Sequence, residues 1–213
     1  MSRRQFLISA GSILATGSVG EALAGGATIP KPTAAIGKPA PAFEVIDTAN
    51  RKRTLAEFSG RQVVLEWTSP SCPFATAQYM SGRMPELQRW AAQHNVVWLS
   101  ILSSHPSRSD YLVPAKAEAF NRQRGGAPAA LLIDSSGVMG RSYGAITANH
   151  MFVIAADGAL VYAGGIDDSN SFDVAAVKSS RNFVRAALEE LAASRAVSHP
   201  KTDPYGCSLA YEG

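Results

Sequence analysis

Short apolar runs alternate with longer helix-forming stretches along most of this chain, and this alternation restricts the fold more than any other feature. Runs rich in aliphatic and aromatic residues predict six strands, at 43–47, 62–67, 96–102, 130–134, 151–155 and 160–163. Helices are predicted at 73–92, interrupted near Gly82 and Pro85, at 114–124 and at 174–193. Asp157-Gly158 predicts a hairpin between the last two strands. This order predicts an α/β fold, with a central mixed β-sheet flanked by helices on both faces.

The two ends of the chain differ from this folded part. Residues 1–24 predict an export signal, because Arg3 and Arg4 precede a mild apolar stretch and an A-x-A cleavage pattern at 22–24. The paired arginines favour the twin-arginine route, with the ordinary secretory route as the alternative. Residues 25–41 form a proline-rich linker, residues 42–195 the domain and residues 196–213 a C-terminal tail. We predict a periplasmic protein without a stable membrane anchor, since the apolar stretch is too short to span a bilayer.

The charge of the chain gives little reason to expect an anionic partner. The sequence holds 20 basic and 17 acidic residues, and loss of residues 1–24 would remove two basic residues and one acidic residue, leaving +2. A nucleic acid is therefore excluded as the expected partner. The single basic run, Arg51-Lys52-Arg53, is predicted to lie in a solvated hairpin turn.

Cys72 is the residue that most directly indicates chemistry. It follows the predicted strand at 62–67 after a short loop and immediately precedes Pro73, and proline suits the first position of a helix. Cys72 is therefore predicted to be an N-cap, where unpaired backbone N–H groups and the positive end of the helix favour thiolate over thiol. The alternative is a buried structural cysteine. The only other cysteine is Cys207, so the two can pair with each other or with a partner.

The residues around Cys72 resemble the thioredoxin-like superfamily, in particular its redoxin branch of alkyl hydroperoxide reductase and thiol-specific antioxidant type, over roughly residues 36–195. Glu66 lies six residues before Cys72, where thioredoxins place a buried acid, so the resemblance implies that a buried Glu66 tunes proton transfer. Ala75 replaces the second cysteine of the C-x-x-C motif, which prevents a local disulfide. The resemblance thus implies a thioredoxin-like fold without ordinary thioredoxin chemistry.

A partial peroxiredoxin pattern surrounds the same cysteine. Ser69 and Pro73 match the Ser or Thr three residues before the nucleophile and the proline after it, whereas Leu65 stands where a proline is usual. The resemblance implies that Ser69 orients a peroxide together with an arginine. Arg141 is the candidate arginine, and a solvated charge on a short helix is the alternative for it.

The loop before the strand at 151–155 departs from the superfamily. Asn149 stands where thioredoxin-like proteins usually hold a cis-proline, so its preceding peptide bond is predicted to be trans. His150 is then a candidate base or orienting group that faces Cys72. A histidine packed and hydrogen-bonded at the end of the sheet is the alternative.

Cys207 lies in a tail that is predicted to be non-helical and flexible. Such a tail suits a resolving cysteine, which must reach a sulfenic acid formed on Cys72 and condense with it. A permanent structural disulfide and a free thiol stay open as alternatives. The acidic residues Asp167, Asp168 and Asp173 are interpreted as helix N-capping groups rather than as a calcium site.

We predict a thiol-dependent oxidoreductase in which Cys72 is the nucleophile and Cys207 its disulfide partner. Its partners are a peroxide or disulfide substrate and a thiol electron donor, and no cofactor or metal is required. One alternative is a redoxin-fold binding module without turnover. Another is a copper-handling protein that uses Cys72, His150 and Met151, since sulfur with imidazole suits Cu(I).

Overall fold

The computed structural model describes residues 31–209 and Tyr211, so the predicted export signal lies outside the described residues. Within that part, seven strands form one sheet: β1 Glu44–Asp47, β2 Lys52–Thr54, β3 Val63–Trp67, β4 Val97–Leu102, β5 Ala130–Ile133, β6 Met151–Ile154 and β7 Leu160–Gly164. The α-helices are α1 Pro73–Met80, α2 Arg83–Gln93, α3 Pro114–Gln123, α4 Val138–Tyr143, α5 Val174–Ser179 and α6 Phe183–Ala192. A single 3-10 helix in this part of the chain covers Leu55–Phe58.

The strands lie in the order β2-β1-β5-β4-β3-β6-β7. Strands β3, β4 and β5 are parallel neighbours, and the remaining neighbours are antiparallel, including the predicted hairpin of β6 and β7. This arrangement confirms the predicted mixed sheet. Strand β3 lies inside the sheet, between β4 and β6, and every one of its residues is buried. Its carboxyl end leads directly into the loop that carries Cys72.

Alternate residues of β3 build two separate cores, because successive side chains of a strand point to opposite faces of the sheet. Leu65 and Trp67 pack in one core with α4, while Val64 packs in the other with α2 and α6. The helices therefore cover both faces, as predicted. None of the helices in residues 31–209 is long and apolar enough to cross a membrane.

The sequence predicts an interruption near Gly82 and Pro85 within 73–92 and none within 174–193, and the structure divides both stretches. The stretch 73–92 forms α1 and α2, separated at Gly82, whose φ of 81° lies in the left-handed region that glycine favours. The stretch 174–193 forms α5 and α6. Each helix begins after its own N-cap, since the side chains of Asp173 and Asn182 each accept a hydrogen bond from a backbone N–H of the helix that follows.

The basic run 51–53 only partly follows its prediction. The turn lies at 48–50, whereas Arg53 belongs to β2 and its side chain is only 12% exposed. Its guanidinium group forms ion pairs with Asp47 and Glu57 and lies over the ring of Phe58. Asp47 belongs to β1, and Glu57 and Phe58 belong to the 3-10 helix. Because these partners hold a largely buried side chain, the description of Arg53 as a solvated turn residue is wrong.

Candidate active site

Cys72 occupies the N-cap of α1, as predicted from its sequence context. Its backbone is extended, with φ −88° and ψ 116°, and Pro73 is the first helical residue. The Thr76 N–H donates to the Cys72 carbonyl at 2.9 Å, which closes the first turn of the helix. The side chain of Cys72 is fully buried and packs against Ala75 and Ala148.

The tail brings Cys207 to this position. The two cysteines, 135 residues apart in sequence, form a disulfide with their Cα atoms 5.6 Å apart. The Cys207 N–H also donates to the Cys72 Sγ at 3.2 Å, and its carbonyl accepts from the Ala148 N–H at 2.8 Å. Cys207 is therefore not a free thiol in this structure. Resolving and structural roles remain the two alternatives for it.

The tail itself is packed against the domain rather than extended into solvent. Its residue Lys201 forms a parallel bridge with Ala163 of β7, and Ser208 forms an antiparallel bridge with Thr147 in the loop before β6. The prediction of a flexible tail is corrected by these backbone pairings. These backbone pairings could not be predicted from the sequence, because bridges of one residue leave no periodic pattern.

Ser69 lies in the loop between β3 and α1 and is buried. Its Oγ donates to Asp110 Oδ2 at 3.3 Å and lies 3.2 Å from the Ser71 Oγ. Its carbonyl accepts from the Cys72 N–H at 3.5 Å. Ser69 thus holds the turn that leads into Cys72, and its role in orienting a peroxide stays a prediction.

Glu66 is fully buried and is surrounded by hydrogen-bond donors. The carboxylate accepts from four side chains at 2.6–2.9 Å: Tyr79 Oη, Gln88 Nε2, Trp98 Nε1 and Ser100 Oγ. The guanidinium of Arg124 stacks 3.6 Å from the Tyr79 ring centroid and donates to Thr68 Oγ1 at 2.9 Å. None of these hydrogen bonds reaches the cysteines, so the role of Glu66 in proton transfer stays a prediction.

His150 immediately precedes β6, and its ring contacts Phe152 and Ile146. The ring stacks on Phe152 at 4.4 Å, and its Nδ1 accepts a hydrogen bond from the Ile146 N–H at 3.3 Å. Burial lowers the pKa of His150 to about 4, so the ring is neutral at pH 7. These contacts match the packed histidine, and a role of His150 as a base or orienting group for Cys72 stays a prediction.

The structure does not bring together Cys72, His150 and Met151 as ligands for copper. Cys72 is occupied by the disulfide, and the side chain of Met151 packs in the core opposite to the one that holds Phe152, on which His150 stacks. In the part of the chain that the structure describes, no group of three or more His, Cys, Asp and Glu side chains is placed to hold a metal ion.

Asn149 has the trans peptide bond that the sequence predicts, since no cis peptide occurs among the described residues. Its φ of 69° lies in the left-handed region, and its N–H donates to the Trp67 carbonyl at 2.7 Å. The side chain is fully buried, and both of its amide atoms lack a hydrogen-bond partner among the described residues. Asn149 therefore leaves an unsatisfied amide beside the end of β3.

Arg141 is the candidate arginine for orienting a peroxide. It lies on α4, where its Nη2 donates to the Ser136 carbonyl at 2.6 Å and its guanidinium lies 5.2 Å from the ring centroid of Tyr211. These contacts hold the guanidinium of Arg141 near α4 and Tyr211, and its role in orienting a peroxide with Ser69 stays a prediction. The sequence gives no signal for the direction of the Arg141 side chain, because a helix as short as α4 shows no clear periodicity.

Comparison with known proteins identifies the family of this chain. The model of the AhpC/TSA family matches residues 36–163, more than half of the 213 residues. The chain belongs to the AhpC/TSA family. No match was found among curated proteins.

Solved structures share the fold of this AhpC/TSA family protein. A hypothetical protein from Sinorhizobium meliloti is 22% identical with a TM-score of 0.70, covering 84% of this chain and 96% of that one. An uncharacterized conserved protein from Geobacillus kaustophilus is also 22% identical, with a TM-score of 0.71 and coverages of 84% and 93%. A putative thiol:disulfide interchange protein DsbE from Chlorobium tepidum is 16% identical, with a TM-score of 0.54 and coverages of 76% and 98%. These similarities show a thioredoxin-like fold.

Proposed function

We propose that this protein is an exported two-cysteine thiol oxidoreductase that reduces a small peroxide. The observation that carries the proposal is the position of Cys72, at the N-cap of α1 and against Cys207. The N-terminal end of α1 stabilises a thiolate at Cys72. Cys207 is close enough to react with the oxidised Cys72. The complete burial of Cys72 favours a small substrate over the disulfide of another protein.

The reaction consists of three balanced steps. The Cys72 thiolate attacks one peroxide oxygen, the O–O bond breaks, and the other oxygen takes a proton and leaves as water or an alcohol. The Cys207 thiol then displaces hydroxide from the resulting sulfenic acid, which forms the disulfide and releases water. Two thiols of an external donor reduce the disulfide and are themselves oxidised to a disulfide.

Peroxide consumption in the presence of a dithiol tests this function. We expect the wild-type protein to consume peroxide, Cys72→Ser to consume none, and Cys207→Ser to accumulate sulfenic and then sulfinic acid at Cys72. Mass spectrometry after peroxide treatment identifies these states. If Cys72 stays reduced in Cys207→Ser while peroxide persists, the peroxidase proposal fails.

A parallel assay tests the other reaction that the family resemblance implies, the reduction of a protein disulfide. Reduction of a protein disulfide by the wild-type protein, without peroxide consumption, would assign thiol-disulfide reductase activity and overturn the peroxidase proposal. Failure of both assays would favour a redoxin-fold binding module.

A further inference from the structure

A buried polar cluster includes Tyr205, which lies in the tail two residues before Cys207. Its centre is Asp167, which is 2% exposed, and the Tyr205 hydroxyl from the tail donates to its Oδ1 at 2.5 Å. Gln78 Nε2 donates to Asp167 Oδ2 at 2.7 Å and to the Tyr205 Oη at 3.1 Å, and the Ser169 Oγ donates to Asp167 Oδ1 at 2.7 Å. The cluster thus joins α1, the loop after β7 and the tail.

The Asp167 carboxylate is ionised in this cluster. Burial alone would raise its pKa, but hydrogen bonds from Tyr205, Ser169 and Gln78 outweigh burial and hold the pKa below its usual value. Hydrogen bonds to charged groups are stronger than those between neutral groups. The Tyr205 hydroxyl therefore makes a strong, buried contact between the tail and the domain.

Further contacts fix the tail on both sides of Cys207. Upstream, the Thr202 N–H donates to the Ala163 carbonyl at 3.2 Å, and the Thr202 Oγ1 accepts from the Gly165 N–H at 3.1 Å. Downstream, the Leu209 N–H donates to the Ile146 carbonyl at 3.0 Å. These bonds do not involve sulfur, so reduction of the disulfide does not itself remove any of their donors or acceptors.

We propose that Tyr205 is a positioning residue that latches the C-terminal tail over Cys72 independently of the disulfide. The latch acts through Cys207, whose thiol and N–H it holds beside the Cys72 sulfur in the reduced protein. It therefore both covers Cys72 and presents the resolving thiol. The inference deepens the proposed function, on which it rests for the role of Cys207 as a resolving thiol.

The test uses the full-length Cys207→Ser protein, in which Cys72 is the only thiol and no disulfide can hold the tail. A neutral alkylating reagent modifies Cys72 only when the tail opens, so its rate measures the latch. The rate is recorded across pH, and its plateau at high pH, where Cys72 is fully ionised, reports access alone. We expect addition of Tyr205→Phe to raise the plateau rate on the order of tenfold, because the hydrogen bond to Asp167 is lost while the ring is kept.

The pH midpoint of the same profile gives a second readout. The backbone N–H of Cys207 lies 3.2 Å from the Cys72 Sγ, and the Cys207→Ser substitution leaves this backbone donor in the chain. Release of the tail removes the donor from the thiolate, so Tyr205→Phe is expected to move the midpoint to higher pH. A purely structural tyrosine would leave both the plateau rate and the midpoint unchanged.

Tyr143→Phe in the same background is the matched control. Tyr143 is also buried, and its hydroxyl donates to the Pro41 carbonyl at 2.6 Å rather than to a group of the tail. We expect this control to lower the thermal unfolding midpoint to a similar degree and to leave Cys72 alkylation unchanged. Equal alkylation rates for Cys207→Ser with and without Tyr205→Phe would overturn the latch, as would a Tyr143→Phe rate as high as that of Tyr205→Phe. Neither result depends on peroxide turnover, so failure of the latch is distinguishable from failure of the proposed function.

Discussion

At the residue scale, the two cysteines of the disulfide differ in their exposure to solvent. Cys72 is fully buried, whereas Cys207 is partly exposed. In thiol-disulfide exchange the external thiolate attacks one sulfur and the other departs, and departure is faster for the more acidic thiol. Burial and the helix N-terminus therefore direct attack to Cys207 and departure to Cys72.

This difference predicts the site of the mixed disulfide. Brief treatment of the oxidised protein with limiting glutathione, followed by acid quenching and alkylation, should place glutathione on Cys207 and the alkyl group on Cys72. Peptide mass spectrometry measures the distribution, which we expect to favour Cys207 by about tenfold or more, since a fully buried sulfur is reached only through local opening. Glutathione found mainly on Cys72 would contradict the assignment.

His150 predicts a specific dependence of stability on pH. Because its pKa is about 4 in the folded protein and about 6.5 when unfolded, the unfolded state binds more protons between these values. The contribution of His150 to stability is therefore complete above about pH 6.5 and declines as the pH falls toward 4. Urea unfolding should give a free energy of unfolding about 2 kcal/mol lower at pH 5 than at pH 7.

The variant His150→Gln should lose most of this dependence, because glutamine does not titrate. His94→Gln is the control, since His94 is exposed and lies at the C-terminal end of α2. An equal pH dependence in wild type and His150→Gln would show that other groups dominate between pH 5 and pH 7.

Local sequence determines part of the site, and long-range packing determines the rest. The N-cap position of Cys72 could be predicted because a strand and Pro73 flank it within a few residues. The directions of His150 and Arg141 could not, because each side chain is held by contacts that form only after folding. Tyr205 was missed for the same reason, although an aromatic residue next to Gly206 and Cys207 is a signal of a tail that packs.

At the scale of elements, the tail and β7 approach each other closely where a side chain would interfere. A Cβ at Gly164 would lie 2.6 Å from the Thr202 carbonyl oxygen and 2.8 Å from its nitrogen. Backbone atoms cannot rotate away as the end of a side chain can. Gly164 is therefore the position on β7 that permits the tail to pair with it.

Gly164→Ala should displace the tail from β7. We expect the free energy of unfolding of the oxidised protein to decrease by about 1–3 kcal/mol, the usual range for overpacking. Re-formation of the disulfide after reduction should also be slower, because the tail is less often in place. Urea denaturation and timed alkylation measure the two effects. An unchanged midpoint would mean that the tail leaves β7 in solution.

Elements were predicted where their signals are long or periodic. The central strands have continuous apolar runs because both faces of the sheet are covered, and each was found within one or two residues of its observed bounds. Strand β2, with three residues, was missed, and helix α4, with six residues, was expected only as the short helix in the alternative for Arg141. Elements of this length depend on their neighbours rather than on intrinsic propensity.

At the scale of the whole molecule, the proposed export depends on residues outside the described structure. Replacing Arg3 and Arg4 by lysine should block translocation by the twin-arginine route, which recognises the paired arginines. We expect the variant protein to remain in the cytoplasm, as measured by cell fractionation and immunoblotting. Normal export of the variant would instead assign the ordinary secretory route.

The wide sequence separation of the disulfide links oxidation to the state of the entire chain. In a C-x-x-C motif the two sulfurs are neighbours even in an unfolded chain, whereas here the cysteines are 135 residues apart and a long loop must close before they meet. Only a molecule whose sheet, α1 and tail are assembled brings its own two cysteines together readily. The intramolecular disulfide therefore forms readily only in correctly folded copies, and we expect misfolded copies to form bonds to other chains, which a non-reducing gel separates.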